Sequence, residues 1–356
     1  AYSIKIYRLG WYQGNGARLV DTISPSASLP QTQPACATDE DTEIYDCGTW
    51  AVSASWNVPS AAVSGVYIAR LIRSDNGGDS HIPFIVRNDG NTSQVLFQTS
   101  DTTWQAYNTY GGSSYYVGQG HGRAYKLSYN RPFNTRAWEG GRDFLFANEY
   151  PMIRFLEQNG YDVSYVSGLD THKDASLLGK HKAFLSVGHD EYWSKEQRDH
   201  VTAARDDGTN LAFFAGNDVY WKTRWEPSQD GSNTADRTLV CYKDTWANTQ
   251  IDPVTPTATW RDPRFGDLGH GPENELIGTQ YQSNFTDLAI KVDATEGKLR
   301  LWRSTSLASL GSSDVATLAP HTIGYESNED VDNGYRPAGL FRLSSTTGPT
   351  PEYLRD

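Results

Sequence analysis

Four short apolar runs, each separated from the next by a more polar segment with helical character, constrain the fold of this chain most. The runs are 95–97, 163–166, 183–187 and 211–215. Short apolar runs bounded by turn residues are typical of strands that are buried on both faces, as in a parallel sheet covered by helices. We therefore predict an α/β domain, built from β-α-β units, over residues 91–356.

Helix signals between the runs support this alternation of strands and helices. Pro151 is placed at a helix start, and the helix is expected to end at Asn159. Ser194 and Gln197 have the spacing of a capping box, which predicts a helix running to about residue 206. Ligand sites of such sheets lie beyond the carboxyl ends of the strands, so we look for functional residues there.

The first ninety residues have a different pattern, with short alternating segments and no helical period. Turn residues such as Asn76 and Gly77 separate these segments. The predicted strands cover residues 2–9, 18–21, 49–56, 65–73 and 81–86. This pattern predicts an immunoglobulin-like β-sandwich over residues 1–90.

Charge and hydropathy argue against two classes of partner. The chain has 31 basic and 43 acidic residues and a net charge of −12, so a protein that neutralises nucleic-acid phosphates is not expected. No stretch approaches the roughly 18 consecutive apolar residues of a membrane-spanning helix. We therefore predict neither a nucleic-acid partner nor a membrane partner.

Cysteine spacing points to export from the cell. Cys36 and Cys47 lie on either side of the acidic run 37–43, which predicts a local disulfide of the kind found in exported proteins. Two N-x-S/T sequons, at Asn91 and Asn284, are compatible with a secreted, extracellular protein. We interpret the acidic run as a solvated loop, because it lacks the glycine and the ligand spacing of a calcium-binding EF-hand.

Polar and aromatic residues cluster after three of the predicted sheet strands, in 98–112, 186–193 and 215–221. His189 and Glu191 belong to the second cluster, where hydrogen bonding near a helix N-terminus is an alternative to a catalytic role. The tyrosines of the first cluster are equally typical of packing or of a sugar-stacking surface. The residues alone leave these alternatives open.

Four ordered motifs give the chain a family resemblance. They are Tyr-Arg-Leu-Gly-Trp-Tyr from residue 7, Ser-Gly-Val-Tyr-Ile-Ala-Arg-Leu from residue 64, Tyr-Asn-Thr-Tyr-Gly-Gly from residue 107 and Gly-His-Asp-Glu-Tyr-Trp from residue 188. With these motifs the chain resembles the large (beta) subunit family of N,N-dimethylformamidase. The resemblance implies a β-sandwich followed by a glutamine-amidotransferase-like, flavodoxin-like α/β domain.

The resemblance also implies a mononuclear ferric ion, Fe(III), held at the domain boundary by two tyrosines and one glutamate. The matching positions are Tyr67, Tyr110 and Glu191, and the family's spacing favours Tyr110 over Tyr107. Three hard anionic oxygens suit a trivalent ion better than zinc or copper. The metal is therefore expected to join the two domains.

By the same resemblance, His189, Asn217 and Glu326 are the catalytic residues beside the metal. The implied activity is metal-dependent hydrolysis of an amide-type C–N bond in a small or polymeric substrate, with activated water attacking the carbonyl. Cys241 lies outside every strand-end motif, so no cysteine nucleophile is expected. The alternative is a secreted carbohydrate-binding or glycan-cleaving protein that uses its many tryptophans, Trp138 among them, on the same metal-site fold.

The ends of the chain suggest processing. The chain begins at Ala1 and its one methionine is Met152, so we expect a processed form. The resemblance implies further strands after residue 356. A separate C-terminal fragment or a homo-oligomer is therefore an expected partner.

Overall fold

The computed structural model describes residues 1–134 and 143–354, so Trp138 and the last two residues lie outside the described ranges. Nineteen strands are found in these ranges: β1 Tyr2–Leu9, β2 Ala17–Ile23, β3 Ala37–Asp39, β4 Ile44–Asp46, β5 Gly65–Arg73, β6 Asp79–Val86, β7 Val95–Thr99, β8 Lys126–Ser128, β9 Val163–Ser167, β10 Ala183–Gly188, β11 Tyr192–Ser194, β12 Asn210–Ala215, β13 Trp221–Glu226, β14 Thr238–Val240, β15 Gln280–Asn284, β16 Lys291–Asp293, β17 Val315–Thr317, β18 Ser327–Glu329 and β19 Glu352–Tyr353. The α-helices described there are α1 Asp101–Tyr107, α2 Leu145–Asn148, α3 Tyr150–Gln158, α4 Gly168–Lys173, α5 Lys195–Asp206, α6 Asp244–Ala247, α7 Asn274–Ile277 and α8 Ala294–Gly297.

The four apolar runs form one parallel sheet with the strand order β12-β10-β7-β9. In chain order this arrangement is 2-1-3-4, as in the first four strands of a flavodoxin-like sheet. Phe97 of β7 lies opposite Leu185 on one side and Tyr165 on the other, and all three side chains are buried. The predicted parallel strands are thus confirmed, because each run is apolar enough to be covered on both faces.

Helix α3 has proline in its first turn and ends where Asn159 begins the turn into β9. Helix α5 starts after Ser194, whose side-chain oxygen accepts a hydrogen bond from the backbone of Gln197. This bond satisfies one of the free N–H groups at the helix start. Both helices therefore begin where their sequence signals predict.

The N-terminal ninety residues form one antiparallel sheet, ordered β2-β1-β5-β6, and a separate β3-β4 hairpin. The predicted strand at 49–56 is absent. The backbone of residues 49–56 forms hydrogen bonds with the segment 26–33 instead. At Ala51, for example, the N–H donates to the Gln33 side chain and the C=O accepts from it. The described strands of this region do not make two facing sheets, so an immunoglobulin-like sandwich stays a prediction.

This N-terminal sheet packs directly on the parallel sheet. Side chains alternate between the faces of a strand, so Val66 and Ile68 of β5 face one way and Tyr67 faces the other. Val66 and Ile68 share a hydrophobic cluster with Phe97 and Tyr165 of the parallel sheet. The two regions therefore have a common core.

An ion pair reinforces the contact between the two regions. The guanidinium of Arg8 in β1 donates to both carboxylate oxygens of Glu157 in α3, at 2.7 and 3.1 Å. It also donates twice to the carbonyl oxygen of Ser64, at 2.8 and 3.2 Å. Arg8 thereby links the N-terminal sheet, the approach to β5 and a helix of the α/β region.

The predicted disulfide between Cys36 and Cys47 is present and closes the β3-β4 hairpin. Later in the chain, the sheet β18-β15-β19 brings the residues before β18 against the end of β12. None of the described helices has the length and apolar character needed to cross a bilayer.

Candidate active site

Two glycines shape the carboxyl end of the parallel sheet. Gly188, at the end of β10, has a positive φ of 93°, and a Cβ added there would lie 2.6 Å from the Cβ of Asn148. A Cβ on Gly216, just after β12, would lie 2.3 Å from the carbonyl oxygen of Glu326. Only glycine therefore permits these approaches, which bring the segment carrying Glu326 to the sheet edge.

A buried polar cluster follows directly from these strand ends. His189 Nε2 lies 3.0 Å from Glu326 Oε2 and 3.4 Å from Glu191 Oε2, while its Nδ1 lies 3.0 Å from Asp143 Oδ1. The Asn217 amide nitrogen lies 3.4 Å from His189 Nε2 and 3.5 Å from Glu326 Oε2. The structure thus brings together His189, Glu191, Asn217 and Glu326, all of which the sequence singles out.

Two tyrosine hydroxyls bond to Glu191. The hydroxyl of Tyr107, at the end of α1, donates to Oε2 at 3.3 Å. The hydroxyl of Tyr116 lies 2.7 and 2.9 Å from the two carboxylate oxygens and itself accepts from the Tyr192 hydroxyl at 2.6 Å. The rings of Tyr107 and Tyr116 stack at 4.4 Å. The side-chain oxygens of Tyr107, Tyr116 and Glu191 therefore lie together.

The expected tyrosine ligands, Tyr67 and Tyr110, make other contacts. Tyr67 is buried on the far face of β5, between Trp56 and Phe84, and its hydroxyl donates to the carbonyl oxygen of Val63. Tyr110 packs edge-on against Tyr45 of the β3-β4 hairpin.

The paths of two segments explain where these tyrosines lie. Strand β5 turns the Tyr67 ring away from the parallel sheet, whereas α1 keeps Tyr107 at the sheet edge. The chain then reverses through Gly111 and Gly112, which both have positive φ, and returns Tyr116 to the same place. In the structure, Tyr107 and Tyr116 occupy the positions beside Glu191 that the resemblance gives to Tyr67 and Tyr110.

A buried lysine that the sequence analysis missed lies behind Tyr116. Lys243 is fully buried and has a left-handed backbone conformation, and its Nζ has no hydrogen-bond partner among the described residues. Its Nζ lies 3.7 Å from the ring centre of Tyr116, and 4.0 and 4.6 Å from those of Trp246 and Trp221. Cation–π attraction to several rings is the compensation available to this ammonium group.

Burial and neighbouring charges shift the pKa values of the cluster. Burial lowers the pKa of His189, but Glu326, Asp143 and Glu191 outweigh it and leave this pKa well above its ordinary value. Burial, followed by the charge of Glu191, raises the pKa of both Tyr107 and Tyr116 well above the ordinary phenol value. These shifts favour the protonated form of His189 and the neutral form of both phenols, whose protons a stronger Lewis acid can replace.

The donor set fits a hard metal ion only if the tyrosines take part. Within the described ranges, no group of three or more His, Cys, Asp or Glu side chains is placed to hold a metal. Tyr107, Tyr116 and Glu191 instead offer two phenol oxygens and a carboxylate, which are hard ligands. The short contacts between Tyr116 and both oxygens of Glu191 show that these donors point at one another.

A large open cleft adjoins this cluster at Glu326. The cleft has a volume of about 1190 Å³ and is lined by residues drawn from 279–290, 322–330 and 340–353, together with Gly188 and Gly216. Hydroxyl, apolar and charged side chains line this space, and Phe341 is 78% exposed. We call this space the C-terminal cleft; it exceeds the roughly 300–1,000 Å³ of common small-molecule pockets.

Cys241 is unsuited to nucleophilic attack. It is buried and free, and burial raises the pKa of its thiol to about 12. A thiol with so high a pKa contains almost no thiolate at neutral pH.

Comparison with protein families identifies a relationship over nearly the whole chain. The family described as N,N-dimethylformamidase beta subunit-like, C-terminal, matches residues 3–353 of the chain. No curated protein matches the chain.

Proposed function

Because the chain belongs to the N,N-dimethylformamidase beta subunit-like family, we propose that it is an Fe(III)-dependent hydrolase of amide-type C–N bonds. The observation that supports this proposal best is the convergence of the Tyr107 and Tyr116 hydroxyls on the Glu191 carboxylate. Tyr107, Tyr116 and Glu191 would hold the ion. A ferric ion there supplies Lewis acidity, which polarises a carbonyl oxygen and acidifies water.

The neighbours of these three residues are suited to support them. The hydroxyl of Tyr192 donates to the Tyr116 oxygen and so stabilises negative charge on it. The Lys243 amino group lies over the Tyr116 ring and, when protonated, attracts the same charge. Such outer contacts orient ligands and adjust their basicity.

His189, Glu326 and Asn217 would carry the proton transfers and orient the substrate. Asp143 holds His189 at Nδ1, so Nε2 faces Glu326 and the site. Protonated His189 can give its proton to the leaving amine, and Glu326 can take a proton from water. The amide nitrogen of Asn217, 3.4 Å from His189 Nε2, can donate to the developing oxyanion.

The C-terminal cleft supports a substrate larger than a simple formamide. Its volume and its mixture of hydroxyl and apolar residues suit an extended polar amide. We propose that the protein acts outside the cell, and the Cys36–Cys47 disulfide supports that location. We further propose that the chain assembles with other chains, which the term "beta subunit" in the family description supports.

Metal analysis with a visible spectrum tests the proposed centre directly. Phenolate bound to ferric ion absorbs visible light, so the iron-loaded protein should be coloured. Tyr116→Phe and Tyr107→Phe should each lower iron content, because each removes one ligand oxygen. Tyr110→Phe and Tyr67→Phe are the matched controls and should retain iron and colour. If the controls lose iron while the first pair keeps it, the assignment is wrong.

A substrate panel tests the reaction. Amides, peptides, N-acylated amino sugars and glycans should include at least one amide whose cleavage disappears in Glu191→Gln. A glycan that binds native protein and Glu191→Gln equally, with no cleavage of any substrate, would favour the carbohydrate-binding alternative and end the hydrolase proposal.

A further inference from the structure

The segment that carries Tyr116 has little regular structure of its own. We call residues 108–125 the tyrosine loop; it connects α1 to β8 and contains glycine at 111, 112, 118, 120 and 122. Glycine costs more conformational entropy to order than other residues. Some other part of the protein must therefore hold this loop if Tyr116 is to remain at Glu191.

The carboxylate of Glu43 makes that connection from seventy residues away. Its Oε2 accepts hydrogen bonds from Ser113 Oγ at 2.7 Å and from the backbone N–H of Gln119 at 2.8 Å. Its Oε1 accepts from the backbone N–H of His121 at 2.8 Å. Glu43 thus binds the tyrosine loop on both sides of Tyr116. A Cβ on Gly118 would lie only 2.4 Å from Glu43 Oε2, so the contact is closely fitted.

The charge state of Glu43 agrees with this geometry. Burial acts to raise its pKa, but the bonds from His121, Ser113 and Gln119 outweigh burial and leave the pKa below its ordinary value. The acidic run was expected to be a solvated loop, and Glu40 and Asp41 are exposed. Glu43 departs from that expectation because its side chain turns into the protein.

Glu43 sits on a rigid support, which we call the disulfide hairpin, residues 36–47. Strands β3 and β4 pair in it, and the Cys36–Cys47 bridge closes its base. The Tyr45 ring lies against Gly111, where a Cβ would be 2.3 Å from Tyr45 Cγ. The backbone of Tyr125 donates to the carbonyl oxygen of Thr42 at 2.9 Å. The disulfide hairpin therefore contacts the tyrosine loop near both of its ends.

We propose that the disulfide hairpin is a positioning device for the metal centre and that Glu43 is its positioning residue. This inference rests on the proposed function, because it assumes that Tyr116 is a ligand of the metal. Glu43 touches neither Glu191 nor the other ligands in the described contacts, so it acts only through the tyrosine loop. The disulfide hairpin limits the freedom of Glu43 and, through it, of Tyr116.

The test compares Glu43→Gln with Glu40→Gln, an exposed carboxylate in the same hairpin, in metal-free protein. Hydrogen exchange at the amides of Gln119 and His121 and nitration of Tyr116 by tetranitromethane should both rise at least tenfold in Glu43→Gln. Glu40→Gln should match the native protein, and nitration of the exposed Tyr161 should be the same in all samples. The double variant Cys36→Ser, Cys47→Ser should shift the same two readouts in the same direction.

Iron binding supplies the second readout. Affinity for Fe(III), measured by competition with a chelator, should fall 10- to 100-fold in Glu43→Gln while the unfolding temperature stays near that of Glu40→Gln. Unchanged exchange and nitration, or increased nitration with unchanged iron affinity, would overturn the inference. If native protein binds no iron, the proposed function fails, and the nitration and exchange results still decide whether Glu43 positions Tyr116.

Discussion

Replacing Arg8 by Met should destabilise the whole protein, because Arg8 joins the N-terminal sheet to the α/β region. The side chains of Arg8 and Glu157 are only 8% and 16% exposed. The substitution leaves the Glu157 carboxylate buried without its cation, and it leaves the Ser64 carbonyl without two donors. Loss of one partner of a buried pair costs about 3–5 kcal/mol, and we expect a decrease of that size in the free energy of unfolding.

Two further variants separate the buried pair from general effects of losing an arginine. Arg70→Met removes a more exposed ion pair, with Asp79, in the same sheet and should cost about 0–1 kcal/mol. Adding Glu157→Leu to Arg8→Met removes the unpaired charge and should recover much of the lost stability. Together with the single variant Glu157→Leu, these variants complete a double-mutant cycle that gives the coupling energy of Arg8 and Glu157.

Urea unfolding followed by tryptophan fluorescence is the assay. Because Val66 and Ile68 share a core with Phe97 and Tyr165, we expect one transition that moves as a whole. Two separate transitions, of which only one shifts in Arg8→Met, would show that residues 1–90 unfold as an independent domain. A loss below about 1 kcal/mol would equally refute the importance given to the buried pair.

Three other predictions concern the site. His189→Ala should keep iron and colour but lower turnover about 10²–10⁴-fold, measured on the best substrate of the panel, because the role proposed for His189 is proton transfer and not metal binding. Lys243→Met should raise stability at pH 6: burial lowers the pKa of Lys243 from 10.5 to about 7, so the charge costs about 5 kcal/mol below pH 7. In the native protein that cost disappears as pH rises from 7 to 10.5, so the free energy of unfolding measured in urea should rise over this range. The rise should be absent in Lys243→Met. An equal rise in both proteins would contradict the lowered pKa of Lys243. Gly216→Ala should lower the free energy of unfolding by about 1–3 kcal/mol and remove most activity, because the added Cβ would meet the Glu326 carbonyl oxygen. Gly179→Ala is the control, because a Cβ added at Gly179 meets open space, and it should change neither stability nor activity.

The strands of the parallel sheet could be predicted because their signal is local. An apolar run such as 183–187 needs no partner to be recognised, and the Ser194 cap lies next to the helix that it starts. The segment 49–56 also alternates, but Gln33 bonds its backbone and Trp56 packs on Tyr67, so it never pairs as a strand. Tertiary contacts of this kind leave no local pattern.

Some residues of the candidate site could likewise be predicted from a local pattern, whereas others could not. Glu191 and His189 follow a predicted strand directly, so the rule of strand ends points to them. Tyr116 reaches the site only because the tyrosine loop reverses at Gly111 and Gly112. The spacing of residues along the chain does not reveal this reversal. Lys243 was missed because its role depends on rings from separate segments, among them Tyr116 and Trp221.

The close approach of Glu326 to Gly216 has a consequence for synthesis. Asn217 and Glu326 are 109 residues apart in the chain, so at about 5–20 residues per second the ribosome makes Glu326 about 5–20 seconds after Asn217. Tyr107, Tyr116, Glu191 and His189 are all made before that interval begins. Under the proposed function, the nascent protein would hold all three proposed oxygen ligands before it holds the proposed base. It would become active only after the segment that carries Glu326 docks on the sheet edge.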